Sequence, residues 1–262
     1  LAATSSAQTR VGLHSSSGSC ANCDLAGKDI PGMVLRDANF SGSIFNRSNL
    51  SGGKIYNSDL SGTHFRKAFL VKVQGRKVNL AKADMQDVTL VEADFRKSIF
   101  VHADFRRGDL ARASFQHSEF DHADLSSASA PGSDFRGSRF IGAAFDHANL
   151  QEAILDETVL ENVKFGNAIL RGASFKGANL SGAEMSRALG LTQTQLDTAC
   201  GNPATELPFG LSVSYCSESV MAENMYGHQH SGKKTPNDRA AKRLDRAVEN
   251  LESLMADVPT GN

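Results

Sequence analysis

The central part of the chain places a large hydrophobic residue at every fifth position. Of the 33 positions spaced five apart from Leu25 to Met185, 31 are Leu, Ile, Phe or Met, and only Gly75 and Ala130 break the series. Thirteen of the fifteen Phe residues fall in this register. A period of five fits neither a β-strand nor an α-helix of 3.6 residues per turn. It predicts a chain that turns a corner in every unit and points one large side chain inward.

A smaller inward residue precedes each large one by two positions. It is Ala, Ser, Gly, Thr, Val or Cys in 31 of 33 units, and the exceptions are Lys28 and Met33. Four walls that converge on a narrow interior leave no room for a second bulky side chain in each unit. The other three residues of each unit are therefore expected to face water.

These units resemble those of the pentapeptide-repeat family, whose unit is roughly Ala, then Asp or Asn, then Leu or Phe, then two variable residues. The segments 103–107 (ADFRR) and 178–182 (ANLSG) show the unit plainly. The resemblance covers residues 24–188 without an insertion. It implies an all-β solenoid, a right-handed quadrilateral β-helix of about eight coils, with four units and twenty residues in each coil.

The chain divides into five predicted segments. Residues 1–19 are a polar, Ser-rich, flexible lead-in, either the remnant of a signal-peptidase site or an engineered leader. Residues 20–189 form the β-helix with its Cys-containing first cap, residues 190–216 a C-terminal cap, and residues 217–234 a linker. Residues 235–257 are expected to form an amphipathic helix, which gives the solenoid a small C-terminal α-helical extension.

Both C-terminal segments carry local signals. A capping-box pattern at Thr192 predicts a short helix that ends near Ala199, with Gly201 terminating it, and residues 207–211 read as extended chain laid over the last coil. The helix at 235–257 has an apolar stripe with 3–4 spacing. The stripe needs a cover, which is the rod, a partner or a second copy in a homodimer. Its residues are Ala241, Leu244, Val248, Leu251 and Met255.

The four cysteines lie near the two ends of the repeat region, at Cys20, Cys23, Cys200 and Cys216. A Cys-x-x-Cys pair can be a redox motif or half of a zinc site, but no βαβ pattern accompanies this one. Two local disulfides are the favoured interpretation. They favour an oxidising compartment, periplasmic or secreted rather than cytoplasmic. No apolar run approaches the length of a membrane span, so we expect no membrane insertion.

Two breaks in the register have two possible interpretations. Gly75 leaves an inward centre empty, and residues 130–132 (APG) replace another centre and predict a kink. Each break is either a deformable patch that contacts a ligand or a tolerated packing defect. The packing defect is the favoured interpretation.

Stacking of coils twenty residues apart brings some metal-ligating residue types together. His102 and His122 share a corner near Glu119 and Asp121, and Asp84, Asp104 and Asp124 form a ladder on another face. Neighbouring surface histidines arise easily, and the repeat unit itself favours Asp at the ladder positions. We therefore expect no metal site and no cofactor. No catalytic triad, phosphate-binding glycine loop or carboxylate pair in a cleft is visible.

Basic residues recur at twenty-residue spacing and predict a cationic edge, called here the basic ridge. Its candidate binding residues are Arg36, Arg76, Lys77, Arg96, Lys97 and Arg136, and His117 and Lys176 continue the same columns. A second edge carries Arg47, Arg66, Lys67, Arg106 and Arg107. Residues 36–112 contain fourteen basic and eight acidic side chains, whereas residues 113–164 contain three and nine. The rod is thus bipolar along its length.

These features favour a non-enzymatic interaction or scaffold protein that presents a rigid charged surface to a macromolecule, either an acidic protein or a polyanion. The alternative that the resemblance offers is a DNA-mimicking protein that protects topoisomerases, as in quinolone resistance. Such a mimic is expected to be strongly negative. Residues 24–188 carry 21 basic and 20 acidic residues, which disfavours it.

Overall fold

The computed structural model describes residues 19–217, and these residues form a β-helix solenoid. Parallel β-bridges join residues twenty positions apart, from Asp24 with Ile44 to Ile169 with Leu189. Each coil carries four such bridges, one per five-residue unit, so the solenoid has four walls as expected. Its right-handed winding stays a prediction. The segments expected at 1–18 and 218–257, including the amphipathic helix, lie outside the described residues.

Most walls contain only single bridges, because each unit turns a corner before a longer strand can form. The exceptions are short. The strands and the helix, in chain order, are β1 (Val34–Arg36), β2 (Lys54–Tyr56), β3 (Gln74–Arg76), α1 (Gln193–Leu196), β4 (Cys200–Gly201) and β5 (Ser214–Tyr215). Strands β1, β2 and β3 form one parallel sheet in twenty-residue register, and β4 pairs in parallel with β5. No helix within residues 19–217 has the length and apolar character needed to cross a bilayer.

The inward positions form a continuous dry core along the solenoid. The large side chains are almost fully buried from Phe45 onward, and the small inward residues are buried beside them. Successive coils stack like on like, so the rings of Phe100, Phe120 and Phe140 follow one another at centroid distances of 4.7 Å. The period of five therefore predicted the core correctly.

The corners explain the polar residues of the repeat unit. The residue two places after each centre has a positive φ in nearly every unit, as at Gly42 (67°) and Lys97 (58°). Glycine adopts that conformation without steric cost, but most corners use other residues. The Asp or Asn before a centre accepts the backbone N–H two residues later, for example Asp59 Oδ1 from Ser61 at 3.0 Å. The side chain thereby caps the turn.

Serine at the small inward position connects adjacent coils along one corner. Ser118 Oγ accepts the N–H of Ser98 at 3.1 Å and donates to the carbonyl of Phe95 at 3.0 Å. Ser138 does the same for Ser118 and Phe115, at 3.1 and 2.7 Å. Each hydroxyl is inserted into the turn of the preceding coil and satisfies a buried donor and a buried acceptor there.

The expectation that Gly75 leaves a packing defect or a deformable patch is wrong. A Cβ built on Gly75 would lie 2.2 Å from Cε1 of Phe95, the centre of the next coil. The Phe95 ring occupies the space that a larger residue at position 75 would fill. Gly75 remains part of the backbone ladder, because its N–H donates to the backbone carbonyl of Asp94 at 2.6 Å. Glycine is thus part of a close-packed core.

The kink expected at residues 130–132 is also absent from the described backbone. Ser129 bridges Asn149, and the Gly132 N–H donates to the carbonyl of Gln151 at 2.8 Å. Ala130 is buried like the other centres. The ladder passes through this segment because the carbonyl of Pro131 still accepts, from Arg112 at 3.0 Å.

The C-terminal cap is partly as predicted. The short helix exists, and the Thr192 N–H donates to Oε1 of Gln195 at 2.8 Å, but the helix ends at Leu196 rather than Ala199. Gly201 lies in a strand instead of terminating the helix. Cys200 bridges Asn179, which adds a further coil of irregular length. Over it, Leu207 and Leu211 pack against the core, but residues 208–211 form a turn, in which the Leu211 N–H donates to the carbonyl of Pro208 at 3.1 Å, where extended chain was expected. Phe209 is fully exposed.

Both predicted disulfides are present. Cys20 bonds Cys23 at the first coil, and Cys200 bonds Cys216 across the β4–β5 pair, where their Cα atoms are 4.7 Å apart. The second bond closes the last strand pair onto the end of the solenoid, where unpaired backbone would otherwise be exposed.

Replacing Gly75 with Ala is expected to destabilise the protein by about 1–3 kcal/mol, because the added methyl overlaps the Phe95 ring. The free energy of unfolding from urea titration tests this. Phe95→Leu in the same chain removes the overlap, so the double variant should lose less than the two single variants together. Strict additivity would contradict the packing explanation.

The Cys200–Cys216 bond joins residues sixteen positions apart in the chain and is expected to contribute about 3 kcal/mol on the chain-entropy model. Thiol titration of the unfolded, non-reduced protein should find no free thiol. The Cys200→Ser/Cys216→Ser variant should unfold at lower urea concentration. Four reactive thiols in the wild-type protein would contradict the pairing.

Candidate interaction surface

The basic ridge follows one wall of the solenoid and the corner beside it. The units that begin at Val34, Lys54, Gln74, Asp94, Ser114 and Asp134 stack on one another through consecutive bridges. Within this stack, the two residues after each centre face outward, and the six predicted binding residues are all exposed or half-exposed. The six residues thus lie on one wall and its adjoining corner, and their role in binding stays a prediction.

The ridge arginines each contact a carboxylate or an aromatic ring, which the charge pattern alone did not predict. Arg76 and Arg96 both reach Oδ2 of Asp94, at 3.0 and 2.7 Å from their Nη2 atoms. Arg136 binds the carboxylate of Asp134 through two nitrogens. Arg36 lies over the ring of Tyr56, 4.8 Å from its centroid.

The recurring triplet Asp-Phe-Arg was the available signal. It occurs at 94–96, 104–106 and 134–136, and in each case the Asp and the Arg flank an inward Phe and point outward side by side. A bidentate contact between guanidinium and carboxylate follows from that spacing.

These contacts change the acidity of the carboxyls. Burial alone raises the pKa of Asp94, but the hydrogen bonds from Arg96 and Arg76 outweigh burial and hold the pKa below 3.8. The pKa values of Asp104 and Asp134 are lowered in the same way, against burial, by Arg106 and Arg136 respectively. The three carboxylates therefore stay charged at neutral pH.

The ridge retains a positive balance after this pairing. Its outward positions from Val34 to Gly137 carry seven cations and three carboxylates, a net of four positive charges with His117 neutral. Lys77 and Lys97 extend from the corner with positive φ, and both are exposed. These lysines add exposed positive charge beside the Arg–Asp pairs, and a lysine ammonium contacts an anion as a point charge.

The second basic edge is neutralised more completely. Arg66 binds Asp84, Arg106 binds Asp104 and approaches Asp124 at 3.6 Å, and Arg107 binds Asp87 at 2.8 Å. The predicted carboxylate ladder of Asp84, Asp104 and Asp124 is therefore occupied by arginines.

The histidine corner is a stack of rings beside an ion pair between the buried Asp121 and the half-buried Arg139. The His102 and His122 rings lie 5.1 Å apart and nearly parallel. Burial raises the pKa of Asp121, although Arg139 opposes this at 2.6 Å from its carboxylate. Residues 19–217 contain no group of three His, Cys, Asp or Glu side chains arranged to hold a metal ion.

Fold and surface together define a repeat solenoid with columns of outward side chains on its described residues. Comparison with family models identifies it further. The model described as "Pentapeptide repeats" matches eight copies over residues 19–52, 55–90, 89–126, 118–156 and 153–189. The chain belongs to the pentapeptide-repeat family.

Solved structures of the same family resemble the chain, at low global similarity. HetL of Nostoc sp. strain PCC 7120, described as involved in heterocyst differentiation regulation, is 23% identical over 75% of this chain and 90% of its own, with a TM-score of 0.36. Trypsin-treated QnrB1, a plasmid-mediated fluoroquinolone resistance protein, is 18% identical over 71% of this chain and 90% of its own, with a TM-score of 0.46.

A pentapeptide repeat protein from the thylakoid lumen of Arabidopsis thaliana is 31% identical over 50% of this chain and 81% of its own, with a TM-score of 0.21. No curated protein matches the chain significantly. The family assignment rests on the repeat model, since the global scores are too low to carry an argument about function.

The lowered pKa values predict a loss of stability in acid. A carboxyl whose pKa is lower in the folded state contributes stability that is present above its unfolded pKa and is lost as pH falls through its folded pKa. The free energy of unfolding should therefore fall as pH drops below about 4. Asp134→Asn should show a smaller fall than the wild type in urea titrations over this range. Asp109→Asn, at a carboxylate without an ion pair among the described residues, is the control, and equal falls in both variants would contradict the assignment.

Proposed function

We propose that this protein is a non-enzymatic interaction or scaffold protein, and that it presents the basic ridge to a linear polyanion or an acidic protein surface. The supporting observation is the net positive wall of stacked, outward cations at fixed spacing. Coils lie roughly 4.8 Å apart, so the ridge offers anionic groups a regular series of contacts along one line.

Two kinds of cation make up the ridge. Arg76, Arg96 and Arg136 are held by Asp94 and Asp134, and Lys77 and Lys97 add exposed positive charge at the corner of a wall that the backbone ladder keeps rigid. A surface that is rigid before binding loses little conformational entropy when it is covered. The net positive charge of the ridge supplies the attraction, which is expected to be sensitive to salt.

DNA mimicry is the alternative, and the charge of the repeat region disfavours it. Twenty-one basic and twenty acidic residues between 24 and 188 give no overall negative charge. The acidic half, residues 113–164, is the next surface to test if the ridge does not bind.

The test measures binding of poly-L-glutamate by fluorescence anisotropy over a range of salt concentrations. Binding to the wild type should weaken steeply as salt rises, as expected when several cations contact a polyanion. Lys77→Ser/Lys97→Ser should abolish most of the binding and leave the thermal unfolding curve unchanged, because both side chains face water.

The matched control is Lys82→Ser/Arg171→Ser, which removes the same charge from other parts of the solenoid. This variant should bind nearly as the wild type does. Equal losses in the two double variants, or binding that is indifferent to salt, would place the working surface elsewhere. Replacing Arg76 and Arg96 as well would release Asp94, so the lysine pair gives the cleaner result.

A further inference from the structure

Phe69 departs from the pattern that the other phenylalanines follow. It occupies the outward position before a centre, between Ala68 and Leu70, and 50% of its surface is exposed. The corresponding outward positions of the two adjacent coils hold Asn49 and Thr89, both polar, and Phe69 bridges both of them. The backbone of Phe69 is therefore fixed in the wall by two bridges, and its side chain lies outside the hydrophobic core.

The Phe69 ring forms one wall of an open cavity on the first coils, called here the Phe69 shelf. Its volume is about 450 Å³, and its lining includes Lys28, Asp29, Arg47 and Asn49. That volume lies within the range of small-ligand sites, roughly 300–1,000 Å³. A single exposed apolar side chain is ordinary on a protein surface, but an aromatic wall facing a cavity with cations is not explained by the fold.

The cations of the shelf have positions that the repeat does not require. Lys28 stands at the small inward position, where 31 of 33 units carry a small residue, and it is half-exposed at the edge of the cavity. Arg47 occupies a corner with a φ of 59°. Within residues 19–217, no ion pair or side-chain hydrogen bond involves the charged ends of Lys28 and Arg47, in contrast to Arg76 and Arg96 on the ridge.

The single acidic group of the shelf is already engaged. Asp29 Oδ1 accepts from Nδ2 of Asn49 at 2.8 Å, which fixes both side chains on the wall. Lys67 adds a further exposed cation on the corner of Arg47, one coil along. The shelf thus combines an apolar aromatic face with an excess of positive charge.

We propose that the Phe69 shelf binds an acidic peptide segment that carries one aromatic or large aliphatic side chain. The apolar side chain packs on the Phe69 ring, and carboxylates on either side of it meet Lys28 and Arg47. Charge complementarity selects the acidic flanks, and the ring selects the apolar residue between them. The shelf lies on a different wall from the basic ridge, so this site stands or falls independently of the proposed function.

The probe is a fluorescently labelled five-residue peptide of four glutamates around a central phenylalanine, measured by anisotropy with the full chain at low salt. Phe69→Ser should weaken binding roughly tenfold through loss of the aromatic contact. Leu189→Ser is the matched control, because Leu189 has 53% exposure in the same outward column at the far end of the solenoid. That variant should bind as the wild type does.

Two further arms separate charge from apolar contact. Lys28→Ser/Arg47→Ser should remove the salt dependence of peptide binding, whereas Lys77→Ser/Lys97→Ser on the ridge should leave it intact. A peptide with serine in place of phenylalanine should bind the wild type more weakly than the phenylalanine peptide does. Its affinity for the wild type and for the Phe69→Ser variant should be equal. Phe69→Thr, which copies the residue of the next coil, replaces Phe69→Ser if the latter alters the unfolding curve.

The proposal is overturned if Phe69→Ser and Leu189→Ser bind the peptide equally, or if the serine peptide binds the wild type as tightly as the phenylalanine peptide. Saturable binding of AMP that is lost in Phe69→Ser, with no binding of the peptide, also overturns it, because the shelf would then hold a stacked nucleotide instead.

Discussion

The twenty-residue register of the backbone ladder is the constraint on which the rest of this structure depends. From Leu25 to Leu170, the residue at each centre donates its N–H to a carbonyl nineteen residues later, so every coil is fixed over its neighbour at hydrogen-bond distance, as between Leu25 and Ile44 at 2.7 Å. Because the ladder fixes the backbone on all four walls, a side chain must fit the space left by the side chains twenty residues before and after it. The core is therefore a set of columns more than a pool of interchangeable hydrophobic residues.

The outward side chains are arranged in columns in the same way. An outward carboxylate meets groups two, eighteen or twenty residues away, and Asp94 receives Arg76 from one coil and Arg96 from its own unit. The extent to which a surface charge is neutralised consequently depends on the side chains next to it in the stack. The ridge and the second edge contain similar residues, and three of four arginines on each meet carboxylates, yet only the ridge keeps a clear positive balance.

The sequence was sufficient for the architecture because the period is a property of single residues. One large residue in five, with a small one two places before it, determines which side chains are inward without knowledge of any distance. The cysteine pairing could also be predicted, because the two members of each pair are close in sequence. The close packing at Gly75 could not be predicted, because it depends on the orientation of the Phe95 ring. The C-terminal coil was missed because Cys200 and Glu206 continue the ladder at irregular spacing, which breaks the period while it keeps the hydrogen bonds. The Asp-Phe-Arg triplets signalled the Arg–Asp pairing. It could be recognised only once the structure showed that the Asp and the Arg of each triplet point outward side by side.

The equivalence of the four walls has a consequence for how the length of such a chain can change. Insertion of one complete five-residue unit would leave every later centre inward and the core intact, yet it would rotate everything downstream by a quarter turn. Residues that now form one edge would then be divided between two edges. Insertion of twenty residues would lengthen the rod and preserve each edge. The fold is thus indifferent to steps of five, whereas a surface built from aligned columns tolerates only steps of twenty.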